Sequence, residues 1–378
     1  MAEKNKKPDY ILFLITVLLS VLGILILTGV SSSLSQEKFG TSFYYLNHQL
    51  LYGFLPGIIL CFLVFKINLD FLKKWAPFFL LANLLFLGMV FVPTIGTGLQ
   101  GGASRWVSFG PLSFQPSEFL KPIFILYLAS WMASKTSRQR DENHKGKTKS
   151  IKGFTQTLIG FLIIIGLISL FLILQPDIST LGVILFTALI MYFLADTPLW
   201  HSALITLIGI GSLIALIKTA PYRLSRITVF LNPGLDPLGI GYQIKQALIT
   251  IGSGGIFGRG LGLSRQRFGF LPQPISDSIF AIFAEETGFI GSFILISIFL
   301  LFLWRGFKIG KEITDKFSKL CAFGITSWIL IQTFINIGSM IGILPLTGIP
   351  LPFISYGGSS LISELVGVGI LFNISKKT

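Results

Sequence analysis

Residues 263–286 read LSRQRFGFLPQPISDSIFAIFAEE, with charges of both signs at the mouth of an apolar run. Arg265 and Arg267 lead into a loop stiffened by Pro272 and Pro274. Asp277 follows alone, and Glu285 and Glu286 sit side by side further in. A carboxylate at a partly buried surface loses hydration, which favours its protonated form and makes it a better base. Guanidinium groups beside it can bind phosphate oxygens through paired N–H donors. The same aspartate, or Ser276, could instead cap the free N–H groups of the following helix. Both uses of Asp277 are open, and they can coexist. Glu285 and Glu286 cannot form a dyad with Asp277. On a helix they lie about 12–14 Å further along, rotated by roughly 80° and 180°. They read as interior groups, bonded to neighbouring helices or lining a polar cavity.

The elements that position these residues are membrane helices. Of the 378 residues, 52% are hydrophobic and 12% charged, with mean hydropathy +0.78. A soluble domain carries about 25% charged residues. Apolar runs near 10–30, 49–67, 75–93, 117–134, 154–174, 178–195, 199–218, 277–304, 319–341 and 354–373 predict ten transmembrane helices. The expected fold is an all-α membrane protein, one polytopic domain over 1–378. The basic start, MAEKNKKPDY, leads into apolar residues without a convincing cleavage site, so the first run reads as a helix that stays. Most Lys and Arg residues fall on the side of the N-terminus, which makes both termini cytoplasmic. The polar segment 135–153 then becomes a flexible cytoplasmic loop.

The long extracytoplasmic loop between helices 7 and 8, residues 219–276, departs from that charge pattern. Lys218, Arg223, Arg226, Lys245, Arg259, Arg265 and Arg267 gather in or beside it, against only Asp236 and Asp277. Such a basic patch suits a phosphate or lipid pyrophosphate, and equally the anionic headgroups of ordinary lipid. Within the loop, GYQIKQALITIGSGGIFGRGLG predicts a short amphipathic or re-entrant helix near 240–251, then a glycine-rich turn. Glycines could present backbone N–H groups to phosphate, although no GK[ST] follows to make a P-loop. A plain turn is the simpler reading.

Three further clusters carry chemistry. Arg105 and Trp106 lie in the outer loop before the fourth helix, and Glu118 and Lys121 share one face of that helix at i, i+3. Inside a membrane this pair is costly, so it either lines a cavity or pairs structurally. Asp177, in QPD, could cap the sixth helix. The segment LPLTGIPLPFISYGGSS, 344–360, is stiffened by prolines and broken by Gly357 and Gly358; Glu364 beyond it has no assigned role. Two cysteines and three scattered histidines suggest neither a disulfide framework nor zinc.

Together, GASRWVSFGPLSFQPSEFLK, QPDIST, NPGLDPLGIGYQIKQALITIGSGGIFGRGLGLSRQRFGFLP, SDSIFAIFAEETGFIG and LPLTGIPLPFISYGGSS resemble the SEDS family of shape, elongation, division and sporulation proteins, in order over nearly the whole chain. The resemblance implies a ten-helix peptidoglycan glycosyltransferase. It would polymerise lipid II into glycan strands at the outer face of the cytoplasmic membrane, with inversion and release of undecaprenyl pyrophosphate. GLGLSRQRF and the 344–360 segment are more similar to the division branch than to the elongation branch, which implies septal wall synthesis. The family implies no nucleotide, metal or nucleic acid, with a divalent cation at the pyrophosphate left open. It implies a class B penicillin-binding protein and other divisome membrane proteins as partners. Asp277 matches the family's essential acid, although Ser276-Asp277-Ser278 stands where many members have Thr-Asp-Phe. Arg105, Glu118 and Lys121 match the family's residues around the fourth helix, and Arg259, Arg265 and Arg267 are the candidates for phosphate. Glu364 has no expected counterpart.

Two other functions compete: a lipid II flippase and a non-catalytic scaffold for the penicillin-binding protein. A flippase needs its key charges deep in the bundle, whereas Asp277 is expected at the outer surface. No inverted repeat is evident.

Overall fold

Helices rich in Ser, Thr and Gly among their apolar residues can face other helices at close range, and these occupy the centre of the protein. The computed structural model describes residues 7–92, 96–99, 103–110, 112–144, 151–195, 197–264 and 270–377. Its helices are α1 (Tyr10–Phe39), α2 (Tyr44–Gln49), α3 (Leu55–Lys66), α4 (Leu69–Met89), α5 (Pro116–His144), α6 (Ile151–Leu174), α7 (Ile178–Leu194), α8 (Leu199–Lys218), α9 (Pro221–Leu231), α10 (Ile240–Gly254), α11 (Ile279–Glu312), α12 (Lys316–Met340) and α13 (Gly358–Ser375). A π turn, Leu50–Phe54, joins α2 to α3 as one span. α12 and α13 are the most buried. α12 packs on α11, α7 and α5, and α13 on α3, α5 and α12. α8 lies outermost, with Leu199, Leu207 and Leu213 exposed as a lipid face requires.

Among the described residues, eight of the ten expected spans coincide with helices long and apolar enough to cross a membrane. The other two fall on α7, of 17 residues, and on α5, which carries Glu118 and Lys121 in its first turns. The 135–153 segment is less loop-like than expected. α5 continues to His144 and α6 begins at Ile151, because the polar residues between apolar spans still extend both helices past the hydrocarbon. Within the segment 135–153 expected to be a flexible loop, residues 145–150 lie outside the described residues. The loop before α5 holds a small antiparallel sheet, β1 (Gly96–Leu99), β2 (Ala103–Phe109) and β3 (Leu112–Phe114), in the order β1-β2-β3. The helix expected near 240–251 is α10, and the loop gains a second helix, α9.

One end of the bundle is tied by Asp9. Its carboxylate accepts the Leu12 N–H at 2.8 Å, capping α1, and pairs with Arg305 of α11 at 2.5 Å. Its own N–H donates to the Ser375 hydroxyl of α13 at 3.0 Å.

At the opposite end of α11 the helix is broken. Gly288 has φ 68° and ψ −164°, a conformation essentially reserved for glycine. The turn after α10 docks onto this break. The N–H groups of Arg259 and Gly260 donate to the Glu285 and Glu286 carbonyls, both at 3.0 Å, and the Phe289 N–H donates to Gly255 O at 2.9 Å. The glycine-rich turn therefore spends these N–H groups on the protein's own backbone, which overturns the phosphate-cradle reading and supports the plain turn. A β-carbon on Gly288 would lie 2.3 Å from the Gly258 nitrogen. Gly288→Ala is expected to destabilise the protein by about 1–3 kcal/mol from backbone strain alone. Gly209→Ala, in α8 with nothing within 4 Å of its β-carbon, is expected to be neutral or mildly stabilising. Thermal unfolding of the two variants in detergent checks the contrast.

Candidate functional site

The turn that delivers Asp277 is built by its neighbours. Pro272 and Pro274 limit the backbone, and the Ser276 and Ser278 N–H groups both fold back to Gln273 O, at 3.3 and 3.2 Å. The Ser278 hydroxyl closes the turn onto Pro272 O at 2.8 Å. Ser278 is the N-cap residue of α11, and no side chain caps that helix. The capping role left open for Asp277 is thus not the one it plays, and its carboxylate is available for other chemistry.

Three elements hold this turn. From α12, Asn336 Nδ2 donates to both Asp277 O at 2.8 Å and Ile349 O at 2.7 Å, joining the acid's backbone to the proline-rich 344–357 loop. From that loop, the Ser355 hydroxyl donates to Ser276 O at 2.5 Å, and the Tyr356 N–H donates to Ile275 O at 2.8 Å. From α10, Gln243 donates to the Ser278 hydroxyl at 3.2 Å. Gly348, at φ 71°, lies beside the acid: a β-carbon there would sit 3.8 Å from Asp277 Oδ2. A large side chain at 348 would crowd the carboxylate.

Burial pushes the Asp277 carboxyl above its ordinary value. Hydrogen bonds from Ser276, its own backbone and Gln243, and the charge of Arg226, pull partly in the other direction. Arg226, on α9, is itself lowered by burial and by the charge of Arg105, and raised by Tyr222 and Asp277. Arg226 therefore lies within electrostatic reach of both Asp277 and Arg105. Arg105 is fixed on β2 by donating Nε–H to Gln175 O at 3.2 Å and a second N–H to Pro176 O at 2.5 Å. Asp177, the next residue, caps α7 as expected and accepts the Ser117 hydroxyl at 2.9 Å.

The other sequence candidates fall elsewhere. Glu118 and Lys121 are buried and paired at 2.8 Å. Lys121 also donates to Gln332 Oε1 at 2.9 Å and faces the Trp328 ring at 5.4 Å. It lines a narrow crevice with Phe124, Val183 and Thr187. Arg259 pairs with Glu285 at 3.7 Å and donates to Ser253 O at 3.1 Å. Glu285 accepts from Ser253 and Ser264, so it is an interior group bonded to its neighbours, as its helical position implied. Arg265 and Arg267 lie outside the described residues. Sequence reasoning kept Arg226 in the basic loop but not among the site residues. The missed signal was its i, i+3 spacing from Arg223 on an amphipathic helix. Gln243 and Asn336 carried no local signal.

The arrangement joins a desolvated acid to Arg226 at one rim of a helical bundle, with Arg105 within electrostatic reach of that arginine. A model of the FtsW, RodA and SpoVE cell cycle proteins matches residues 9–378. Stage V sporulation protein E of Bacillus subtilis (strain 168) is 39% identical over 379 residues, spanning 100% of this chain and 99% of that protein. A probable peptidoglycan glycosyltransferase FtsW of Coxiella burnetii is 37% identical, over 96% of this chain and 95% of the relative. Among solved structures, a chain from a peptidoglycan synthase complex that coordinates polymerization and crosslinking is similar at TM-score 0.73 and 27% identity, covering 97% of both chains. The rod shape determining protein RodA of Thermus thermophilus is similar at TM-score 0.68 and 26% identity, over 97% of this chain and 96% of that one.

The raised carboxyl has a stability signature. A folded-state value above the unfolded one means that the native protein binds the extra proton, so stability falls as pH rises through the folded value. Asp277→Asn removes the buried charge. The variant is expected to unfold at a higher temperature than the parent at neutral pH. The gap should close as pH falls through the raised Asp277 value towards 3.8, as thermal melts across pH would read.

Proposed function

The chain belongs to the FtsW/RodA/SpoVE family of cell cycle proteins, the SEDS family that its motifs resemble, and on that premise we propose that it is a peptidoglycan glycosyltransferase that polymerises lipid II. The observation that carries this reading is the desolvated Asp277 carboxylate, free of any capping duty, within electrostatic reach of Arg226, which is in turn within reach of Arg105. Glycan polymerisation needs one base and a place for phosphate charge, and this site offers both.

In the proposed reaction, the Asp277 carboxylate takes the proton of an acceptor sugar hydroxyl. That oxygen attacks the anomeric carbon of the donor from the face opposite its pyrophosphate. The C–O bond to the phosphate breaks, and the electron pair leaves with the lipid pyrophosphate. The anomeric centre inverts. Arg226 and Arg105 stabilise the charge that grows on the departing phosphates, with Arg265 and Arg267 as further candidates. A good leaving group needs no protonation as strong as a glycosidic oxygen requires, so one carboxylate suffices where glycosidases use two. Glu118 and Lys121 form a buried pair inside the bundle rather than a substrate contact, and Arg259 serves chiefly to hold Glu285.

The protein is a multi-pass membrane protein. The reading further places both termini in the cytoplasm, the site at the outer face, and the protein at the division septum. It works beside a class B penicillin-binding protein that crosslinks its product; the similarity to a chain of a synthase complex that couples the two reactions supports this partner.

Asp277→Ala and Asp277→Asn are expected to fold and bind the partner, and to lose polymerisation of lipid II by about 10²–10⁴-fold, the contribution typical of a general base. A gel assay of glycan products reads this, and full yield from the Asn variant would sink the base assignment. In the parent, the rate should fall on the acid side through the raised Asp277 value, above 3.8, as the base becomes protonated. Arg226→Ala should lower the rate and leave the acid in place.

A further inference from the structure

Glu364 is a carboxylate in the middle of a membrane helix, 2% exposed, and the reaction makes no direct use of it. Such a group needs partners, because hydrocarbon offers none. It has three. Oε2 accepts the Phe353 N–H at 2.7 Å; Oε1 accepts the Ser360 hydroxyl at 2.8 Å and Gln332 Nε2–H at 3.3 Å. The orientation of Gln332 is not arbitrary. Its Oε1 accepts from Lys121 and from the Trp328 indole, both at 2.9 Å, so its amide nitrogen must face Glu364 and Pro350 O.

The residue that Glu364 grips is strained. Phe353 has φ 63°, a left-handed conformation uncommon for a residue with a β-carbon and seldom kept unless its surroundings hold it. Glu364 supplies the acceptor for its N–H. Two residues on, the Ser355 hydroxyl accepts the Leu351 N–H at 2.8 Å and donates to Ser276 O, while Tyr356 N–H reaches Ile275 O. Gly348, at the other end of the same loop, abuts the Asp277 carboxylate. The contacts run without a gap from Glu364 through the loop to the acid.

We propose that Glu364 is a positioning residue for the transferase: by holding Phe353 in its left-handed conformation, and Gln332 against Pro350, it sets the 344–357 loop that aligns Asp277 with the acceptor hydroxyl. The same contacts tie the Glu118–Lys121 pair on α5 to that loop, so the buried pair and the base share one rigid support. This rests on the reading of Asp277 as the base. The loop is the mechanical link, and Glu364 never touches substrate.

The test uses the full chain with its crosslinking partner, lipid II as substrate, and hydrogen exchange over residues 347–357. Glu364→Leu should speed exchange in that segment and lower kcat by about tenfold to a hundredfold, the loss expected for a misplaced catalytic group, while KM stays near the parent's. Glu364→Gln, which keeps a carbonyl acceptor for the Phe353 N–H, should restore most of both. A loosened loop with parental kcat overturns the proposal, as does a lost kcat with unchanged exchange, or no restoration by Gln. Should the Leu variant fail to fold, Ser360→Ala removes one donor to the same carboxylate and should shift both readouts in the same direction by less; no shift in either overturns the proposal. The Asp277→Asn variant runs alongside. Its full activity would refute the base reading, while the exchange data would still report whether Glu364 holds the loop.

Discussion

Desolvation of a single carboxylate shapes this protein more than any other interaction. Partial burial of Asp277 raises its affinity for a proton, and a partly buried charge is tolerated only if its surroundings are fixed. The turn around it is accordingly over-determined. Two prolines restrict it, three serine hydroxyls bond along it, and Asn336 and Gln243 clamp it from two helices. Arg226 supplies opposite charge without capturing the acid in a close ion pair, which would have depressed its basicity. The balance leaves a desolvated carboxylate with one cation, Arg226, within electrostatic reach.

The interior of the bundle pays for further polar groups, and each has a mechanical use. Glu118, Lys121, Gln332 and Glu364 form one continuous chain of hydrogen bonds through α5, α12 and α13. In a medium without water, every member needs the next, so the chain resists rearrangement more than packed apolar residues would. Asp9, with Arg305 and Ser375, does the same at the far end of the bundle. Between these two fixed ends the outer helices can present leucine and phenylalanine to lipid with little other constraint.

The broken α11 shows how the segment between α8 and α11 is tied to the membrane helices. Gly288 interrupts the helix and frees backbone groups that would be unsatisfied in lipid. The glycine turn after α10 satisfies them, strand-like, through Arg259, Gly260 and Gly255. Close approach requires glycine on both sides, since a β-carbon at Gly258 would lie 2.2 Å from Glu286 O. Arg259 and Glu285 add a side-chain pair to the same junction. The segment that carries Arg226 and Gln243 is thereby docked on the helix that Asp277 begins.

Hydrophobic run length and the helical offset of Glu285 and Glu286 from Asp277 are local or additive properties, so the helical membrane fold and the separation of those glutamates from Asp277 were legible along the chain, whereas the choice of Asp277 as the acid came only from the family resemblance. The helix α10 was legible too, since amphipathic period and glycines declare themselves within a few residues. What the chain alone could not decide was which charges meet. Arg226, Arg105 and Asp277 come from three separate segments, Asn336 reaches the acid from α12, and Glu364 acts through a loop that precedes it. Arg259 looked like a phosphate ligand by composition and became the partner of a buried glutamate, and glycines that could have cradled phosphate closed on a broken helix instead. Pairing of charges and sharing of backbone N–H groups depend on distances through space, and only the packed bundle sets those.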